Sequence, residues 1–158
     1  MSVLLDSGER REFESGAVRD TARGKGRCDL LPLDVAADLF PNGDVLRMIQ
    51  VCAKSGRKEY LFAALTQFAA EREWDAETIL LETAKHMENG TAKYPERNWE
   101  KGIPAHCYVD SAVRHYLKWR RGDADEPHDR AFCWNILCLI WTMDHRPECN
   151  DLTTGDEK

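Results

Sequence analysis

The chain has 158 residues, of which 42% are apolar and 32% charged, and its formal net charge is −6. That length supports one domain with a core of its own, and the apolar share excludes wholesale disorder. The acidic balance lacks the basic footprint of a nucleic-acid binder, and no apolar run approaches the ~18 residues that a membrane-crossing helix needs.

The opening residues, MSVLLDSGERREFESG, carry acids where a secretory signal has its apolar stretch, so the expected location is the cytoplasm. Residues 1–28 read as an extended arm with a Gly/Arg/Lys segment, residues 29–146 as a helical domain, and residues 147–158 as a polar tail. A first short helix is expected from Pro32 within LLPLDVAADLF, because proline suits a first helical turn. Pro41-Asn42-Gly43-Asp44 breaks it, and Asp44 is placed to cap a helix through about Lys54. Lys58 to Arg72 repeats Tyr60, Leu61, Ala64, Leu65 and Phe68 at helical spacing. Asp75 caps the next helix, which Asn89-Gly90 ends. A loop runs from Thr91 to Pro104, Ala105 to Arg121 forms a further helix that Gly122 stops, and Pro127 opens a last one to about His145. No segment alternates with period two. The fold class is therefore all-α, a compact helical bundle of four to six helices.

The six cysteines form no CxxC pair, and Cys133 and Cys138 fall inside an apolar helical run. They read as reduced thiols behaving as small hydrophobes, not as a disulfide framework or a paired zinc site.

Polar residues of chemical interest crowd between Lys93 and Asn135. His115 falls on the stripe of Tyr108, Ala112 and Trp119, so it faces inward. It is either a satisfied core histidine or a group that titrates or binds metal. Arg114 follows Asp110 by four, which fits an ion pair or, alternatively, a phosphate clamp. Asp123, Asp125, Glu126 and Asp129 place four carboxylates within seven positions. One caps a helix; four together suit a hard cation such as Mg²⁺. His128 and Asn135, seven apart, share a helix face, as a cleft pair or a buried hydrogen-bonded one. In the loop, Lys93, Tyr94, Asn98 and Trp99 combine a cation, aromatic faces and an amide. They suit a nucleotide, or a loop anchored by Trp99. Lys25 and Arg27 lie near glycines and are within reach of phosphates, although the Walker A order is absent.

Three blocks give these residues a family look: GAVRDTARGKGRCDLLP from Gly16, NGTAKYPERNWEKG from Asn89, and Ser111 to Leu137 with Arg114-His115, Trp119, Gly122-Asp123, Asp125-Glu126, His128 and Trp134-Asn135. In this ordered set the chain resembles the phage and prophage family of dATP/dGTP diphosphohydrolase N-terminal domains. The resemblance implies a MazG-like, all-helical nucleotide pyrophosphohydrolase. Such an enzyme cuts a purine deoxynucleoside triphosphate, dGTP or dATP, into the monophosphate and pyrophosphate with Mg²⁺ or Mn²⁺. On that reading Asp123, Asp125, Glu126 and Asp129 hold the metal, and His115, His128 and Glu126 are catalytic. Lys25, Arg27, Lys93, Tyr94, Asn98, Trp99, Arg114 and Asn135 bind substrate. The MazG pattern pairs a Glu-Glu-x-x-Glu helix with a Glu-x-x-Asp helix. Glu126 to Asp129 offers the second, and the first does not occur in this chain. A non-catalytic nucleotide-binding sensor or sponge thus stands as the alternative, as does a helical protein that engages a phage's host. Five tryptophans leave room for a helical interface between copies of the chain, so a homo-oligomer is also expected as an option.

Overall fold

The computed structural model describes residues 8–152. Six α-helices follow a small antiparallel hairpin: β1 (Arg10–Glu12), β2 (Val18–Asp20), α1 (Leu33–Ala36), α2 (Asp44–Ser55), α3 (Glu59–Arg72), α4 (Ala76–Gly90), α5 (Ala105–Arg121) and α6 (His128–His145). Short 3₁₀ turns lie at Cys28–Leu30, Ala37–Leu39, Asn98–Lys101 and Pro147–Cys149. The seven-residue stretch 1–7 and the end of the polar tail, 153–158, lie outside the described residues.

The helix boundaries follow the local chemistry. Asp75 caps α4, its side chain accepting from the Thr78 N–H at 2.8 Å. Gly122 ends α5 with φ +92°, a left-handed conformation that a Cβ disfavours. Pro127 stands just before the first residue of α6. Asp44 is one position later than a cap: it is the first residue of α2, and its N–H is held by Asn42 Oδ1 at 3.3 Å. The preceding Gly43 is required by crowding, because a Cβ there would sit 2.2 Å from the Ala37 carbonyl oxygen. The extended N-terminal arm contains a hairpin that period-two patterning does not reveal. Its strands have three residues each, too few to alternate, and they are held in register by Arg10 opposite Asp20 and Glu12 opposite Val18.

The core is one cluster running through all the long helices. α5 lies along α6, which also takes α3 and α4, while α2 packs on α3. Phe68 is fully buried at the centre. Its ring meets Phe132 at 4.6 Å, Trp119 at 4.9 Å and Tyr116 at 6.1 Å between centroids. All six cysteines are unpaired, and Cys133 and Cys138 are buried in α6, where burial pushes the Cys133 thiol up to about 12. No helix among the described residues is long and apolar enough to cross a membrane.

The contrast between two phenylalanines of α3 tests this core. Phe68→Ala leaves a void among the rings of Phe132, Trp119, Tyr116 and Trp74 and should cost about 3–5 kcal/mol in denaturant unfolding. Phe62, which is 50% exposed on the same helix, should tolerate alanine within about 0.5 kcal/mol.

Candidate functional site

The α5–α6 pair is joined by a short turn, so residues near the end of α5 face residues near the start of α6. This brings His115 onto His128: their Nδ1 atoms are 2.9 Å apart. His128 is buried, and its Nε2 lies 2.7 Å from Asp125 Oδ1 in the turn. Glu126 joins them, with a carboxylate oxygen within 4.8 Å of a ring nitrogen of each histidine. The result is a chain of groups, Asp125 to His128 to His115, with Glu126 beside it. Burial, reinforced by His128, holds the His115 imidazole well below its usual range, so it is neutral near pH 7. The hydrogen bond from His128 lowers the Asp125 carboxyl in the same sense.

His115 and Glu126 form part of the wall of a cavity of about 670 Å³, within the usual range for small-ligand sites. The hairpin, the end of α4, the loop that follows it, α5 and α6 all contribute. Seven Lys and Arg side chains line it against four carboxylates. The chain as a whole is net acidic, so this positive lining is a local arrangement.

Of the residues picked from sequence, Lys25, Lys93, Tyr94, Asn98, Trp99, Arg114, His115, Glu126 and Asn135 line this cavity. Some are also committed to the fold. Asn98 pairs with the backbone of Val18, Nδ2 donating to the carbonyl at 2.7 Å and Oδ1 accepting from the N–H at 2.8 Å. Its amide fixes the loop to the hairpin. Trp99 packs edge-on against Trp141, 4.9 Å between centroids. Arg114 donates to Asp110 Oδ2 at 2.5 Å and to the Gly26 carbonyl at 2.8 Å. Asp110 Oδ1 accepts from the Cys28 N–H, so one buried carboxylate ties α5 to the N-terminal segment. Asn135 donates to the Ala131 carbonyl at 2.8 Å and does not use His128 for that bond.

Arg27 lies elsewhere, exposed beside a second, smaller pocket and paired with Asp29 through two bonds of 2.7 and 2.8 Å. The four carboxylates expected to cradle a hard cation do not meet at one point. Asp129 accepts from Arg72 Nε at 3.0 Å, and Asp123 is gripped by Arg121. That ion pair keeps the Asp123 carboxyl below its usual range. Asp123 and Asp125 gather around His128 as a separate group from the one containing Glu126.

Among the cavity residues that sequence reasoning did not single out are Arg19 and His86. Arg19, on β2, buries its guanidinium between the rings of Tyr108 and Trp134, 5.3 and 5.6 Å from their centroids. Nη2 donates to Ser111 Oγ at 2.8 Å and to Asn135 Oδ1 at 3.3 Å, and the buried Nη1 has no partner among the described residues. Burial pulls its pKa below the usual guanidinium value. A cation held by neutral groups and aromatic faces retains an uncompensated charge, which is the property of an anion hook. His86, on α4, stands 5.5 Å from Trp134, with Nδ1 buried and unpartnered among the described residues. Burial and the nearby Arg19, Arg130 and Lys93 lower its pKa to about 4.

A family model described as dATP/dGTP diphosphohydrolase, N-terminal, matches residues 54–152. The match takes in α3 to α6 with the whole histidine–carboxylate cluster, and it begins after the hairpin and Gly16–Pro32. No curated protein and no solved structure matches the chain.

The depressed imidazoles make stability depend on pH with a definite sign. An unfolded histidine takes up its proton near pH 6.5, whereas folded His86 does so only near 4. Between those values the unfolded chain binds more protons, so stability falls as the pH is lowered from about 6.5 to 4. Melting temperatures measured across that window should fall more gently in His86→Gln than in the unmodified protein.

Proposed function

The chain belongs to the dATP/dGTP diphosphohydrolase N-terminal family, and from that membership and the cavity together we propose that it hydrolyses a purine deoxynucleoside triphosphate to the monophosphate and pyrophosphate. The observation that carries this reading is a cation-lined cavity, in an acidic chain, with the histidine–carboxylate cluster in its wall.

A triphosphate brings several negative charges close together. Arg19, Arg114 and Lys93, and the more exposed Lys25, are placed to hold them. Three of these cations already have acidic neighbours, Arg114 being paired with Asp110. Asp20 Oδ2 lies 3.3 Å from Lys25 Nζ and 3.9 Å from Lys93 Nζ, and a phosphate entering here competes with Asp20 for both. Tyr94, Trp99 and Trp134 give the lining its flat apolar faces, which suit a purine ring. Asn98 positions this loop through Val18 instead of reading a base edge.

In the hydrolysis, a water oxygen attacks the α-phosphorus, and the bond from that phosphorus to the α–β bridging oxygen breaks. The bridging oxygen leaves with the pyrophosphate. The water's proton passes to the Asp125, His128, His115 and Glu126 cluster and on to solvent. An imidazole that is neutral before the reaction has a lone pair with which to accept that proton. A divalent cation held at the cluster would supply charge neutralisation on the phosphates and a water acidic enough to lose its proton to solvent; the cluster's own nitrogens accept the proton only where no ion is bound. The separation of Asp123 and Asp129 from the cavity speaks against a four-carboxylate Mg²⁺ cradle.

One observation favours a second reading. The chain has no Glu-Glu-x-x-Glu sequence, and the same cavity could hold a nucleotide without cutting it. Incubation with each deoxynucleoside triphosphate and Mg²⁺ or Mn²⁺, followed by chromatography, separates the two. Hydrolysis predicts monophosphate and pyrophosphate from dGTP or dATP. Nucleotide-dependent stabilisation without product supports the binding module. If the enzyme reading holds, His115→Ala should lower kcat by at least about 100-fold with binding retained. Arg19→Gln should weaken nucleotide binding about tenfold or more, as expected when a charge-assisted phosphate contact is lost.

A further inference from the structure

The contact between the two histidines is unusual in its atoms. Imidazoles that merely pack meet through ring faces or edges. Here Nδ1 of His115 and Nδ1 of His128 lie 2.9 Å apart, with the ring planes 37° apart. Asp125 accepts from the far nitrogen of His128, which places the proton of a neutral His128 on Nε2 and a lone pair on Nδ1. That lone pair faces the His115 nitrogen. Two nitrogens bound to one ion at the ~2.0–2.1 Å of zinc–nitrogen bonds, with a ligand angle between a right angle and the tetrahedral value, stand roughly 2.9–3.4 Å apart. The observed separation lies at the lower end of that range.

The surroundings agree. Glu126 adds an oxygen ligand within 4.8 Å of a ring nitrogen of each histidine. Asp125 is the outer carboxylate that commonly orients a metal-binding histidine through its other ring nitrogen. His128 is buried, whereas His115 and Glu126 reach the cavity wall. An ion between them would keep its remaining positions on the cavity side, open to water or to phosphate oxygens. The other acids of the turn are drawn off by Arg72 and Arg121.

We infer that His115, His128 and Glu126 form a site for one divalent transition-metal ion, with Asp125 as the positioning carboxylate of His128. Two imidazoles and one carboxylate suit ions such as Zn²⁺, Mn²⁺, Fe²⁺ or Co²⁺. Mg²⁺ prefers oxygen ligands in near-octahedral geometry and retains its waters. Only the use of this ion on a nucleotide rests on the proposed hydrolysis; the binding itself does not.

Co²⁺ is the probe, added to the metal-stripped full chain without nucleotide and followed by its visible absorption and by calorimetry. One equivalent should bind, with a spectrum that shows nitrogen ligation. Excess Mg²⁺ should not displace it, whereas Zn²⁺ should. His115→Ala and Glu126→Gln should each weaken Co²⁺ binding by more than tenfold. Asp125→Asn should weaken it by about 10–100-fold, the usual effect of removing an outer partner. Circular dichroism melts of the three variants confirm that they are folded, and the buried His128 need not be touched. Absence of saturable Co²⁺ binding, binding unchanged in His115→Ala, or ready displacement by Mg²⁺ would overturn the site. Hydrolysis of dGTP by protein that binds no transition ion would leave the enzyme reading intact and assign the 2.9 Å contact to a shared proton. Metal binding without nucleotide binding or hydrolysis would retain the site and remove the substrate reading.

Discussion

The α5–α6 pair carries polar side chains on faces that are buried, and the satisfaction of those groups shapes the rest of the molecule. Asp110 and Ser111 on α5 and His128 and Asn135 on α6 are buried, with Arg114 and His115 of α5 half-buried beside them. Buried polar groups need partners, and a partly satisfied network is costly. The chain meets this from three directions. The turn supplies Asp125 to His128, β2 supplies Arg19 to Ser111 and Asn135, and the 3₁₀ turn at Cys28 supplies its N–H to Asp110. The short hairpin is therefore held less by its own ladder than by what it inserts between the helices. Asn98 and Ser15 strengthen the attachment, the first through Val18 and the second by donating to the Gly102 carbonyl.

Charge follows the same division. Several acids of the helices are matched by basic residues from other elements: Arg72 with Asp129, Arg130 with Glu82, and Arg120 with Glu71. Such exposed or half-exposed pairs add little stability each. Their consequence here is placement. By drawing Asp129 and Asp123 away, they leave Glu126 as the acid that the cavity receives from the turn. The cations that line the cavity come from both strands of the hairpin, the Gly-rich segment, the loop after α4 and α5, so the positive lining exists only when these regions are assembled.

The helices were legible because their ends carry strong local signals. Asp75, Gly122 and Pro127 act through the few residues around them, and the apolar spacing of α3 and α5 repeats often enough to be read. The pairing of His115 with His128 was within reach, since both sit on inward faces on either side of a short turn. The hairpin was not legible, because three residues per strand carry no period. Arg19 was hidden for the same reason. In sequence it is one arginine among several, and what separates it from Arg27 is burial against Tyr108 and Trp134, which are distant in the chain. The acidic turn misled in a different way. Four acids within seven positions look like one site, but their directions are decided by Arg72, 57 positions from Asp129, and by Arg121 beside Asp123. Asn98 likewise has the right chemistry to read a base, and a backbone 80 positions away takes both of its amide atoms.

This leaves two layers of different character around one cavity. The histidine–carboxylate cluster lies wholly within residues 54–152, the stretch matched by the family model. Arg19, Asp20 and Lys25 lie before it, on the hairpin and the segment that follows. If the cavity holds a triphosphate, the groups that would activate water are set by the rigid α5–α6 pair, while part of the phosphate hold arrives with the N-terminal segment. The buried link from Cys28 through Asp110 to Arg114 makes these layers interdependent. Loosening the hairpin should then cost nucleotide affinity before it alters the cluster. Loosening the turn should instead move Asp125, Glu126 and His128 together, because the hydrogen bond that orients His128 and the carboxylate beside it come from adjacent residues.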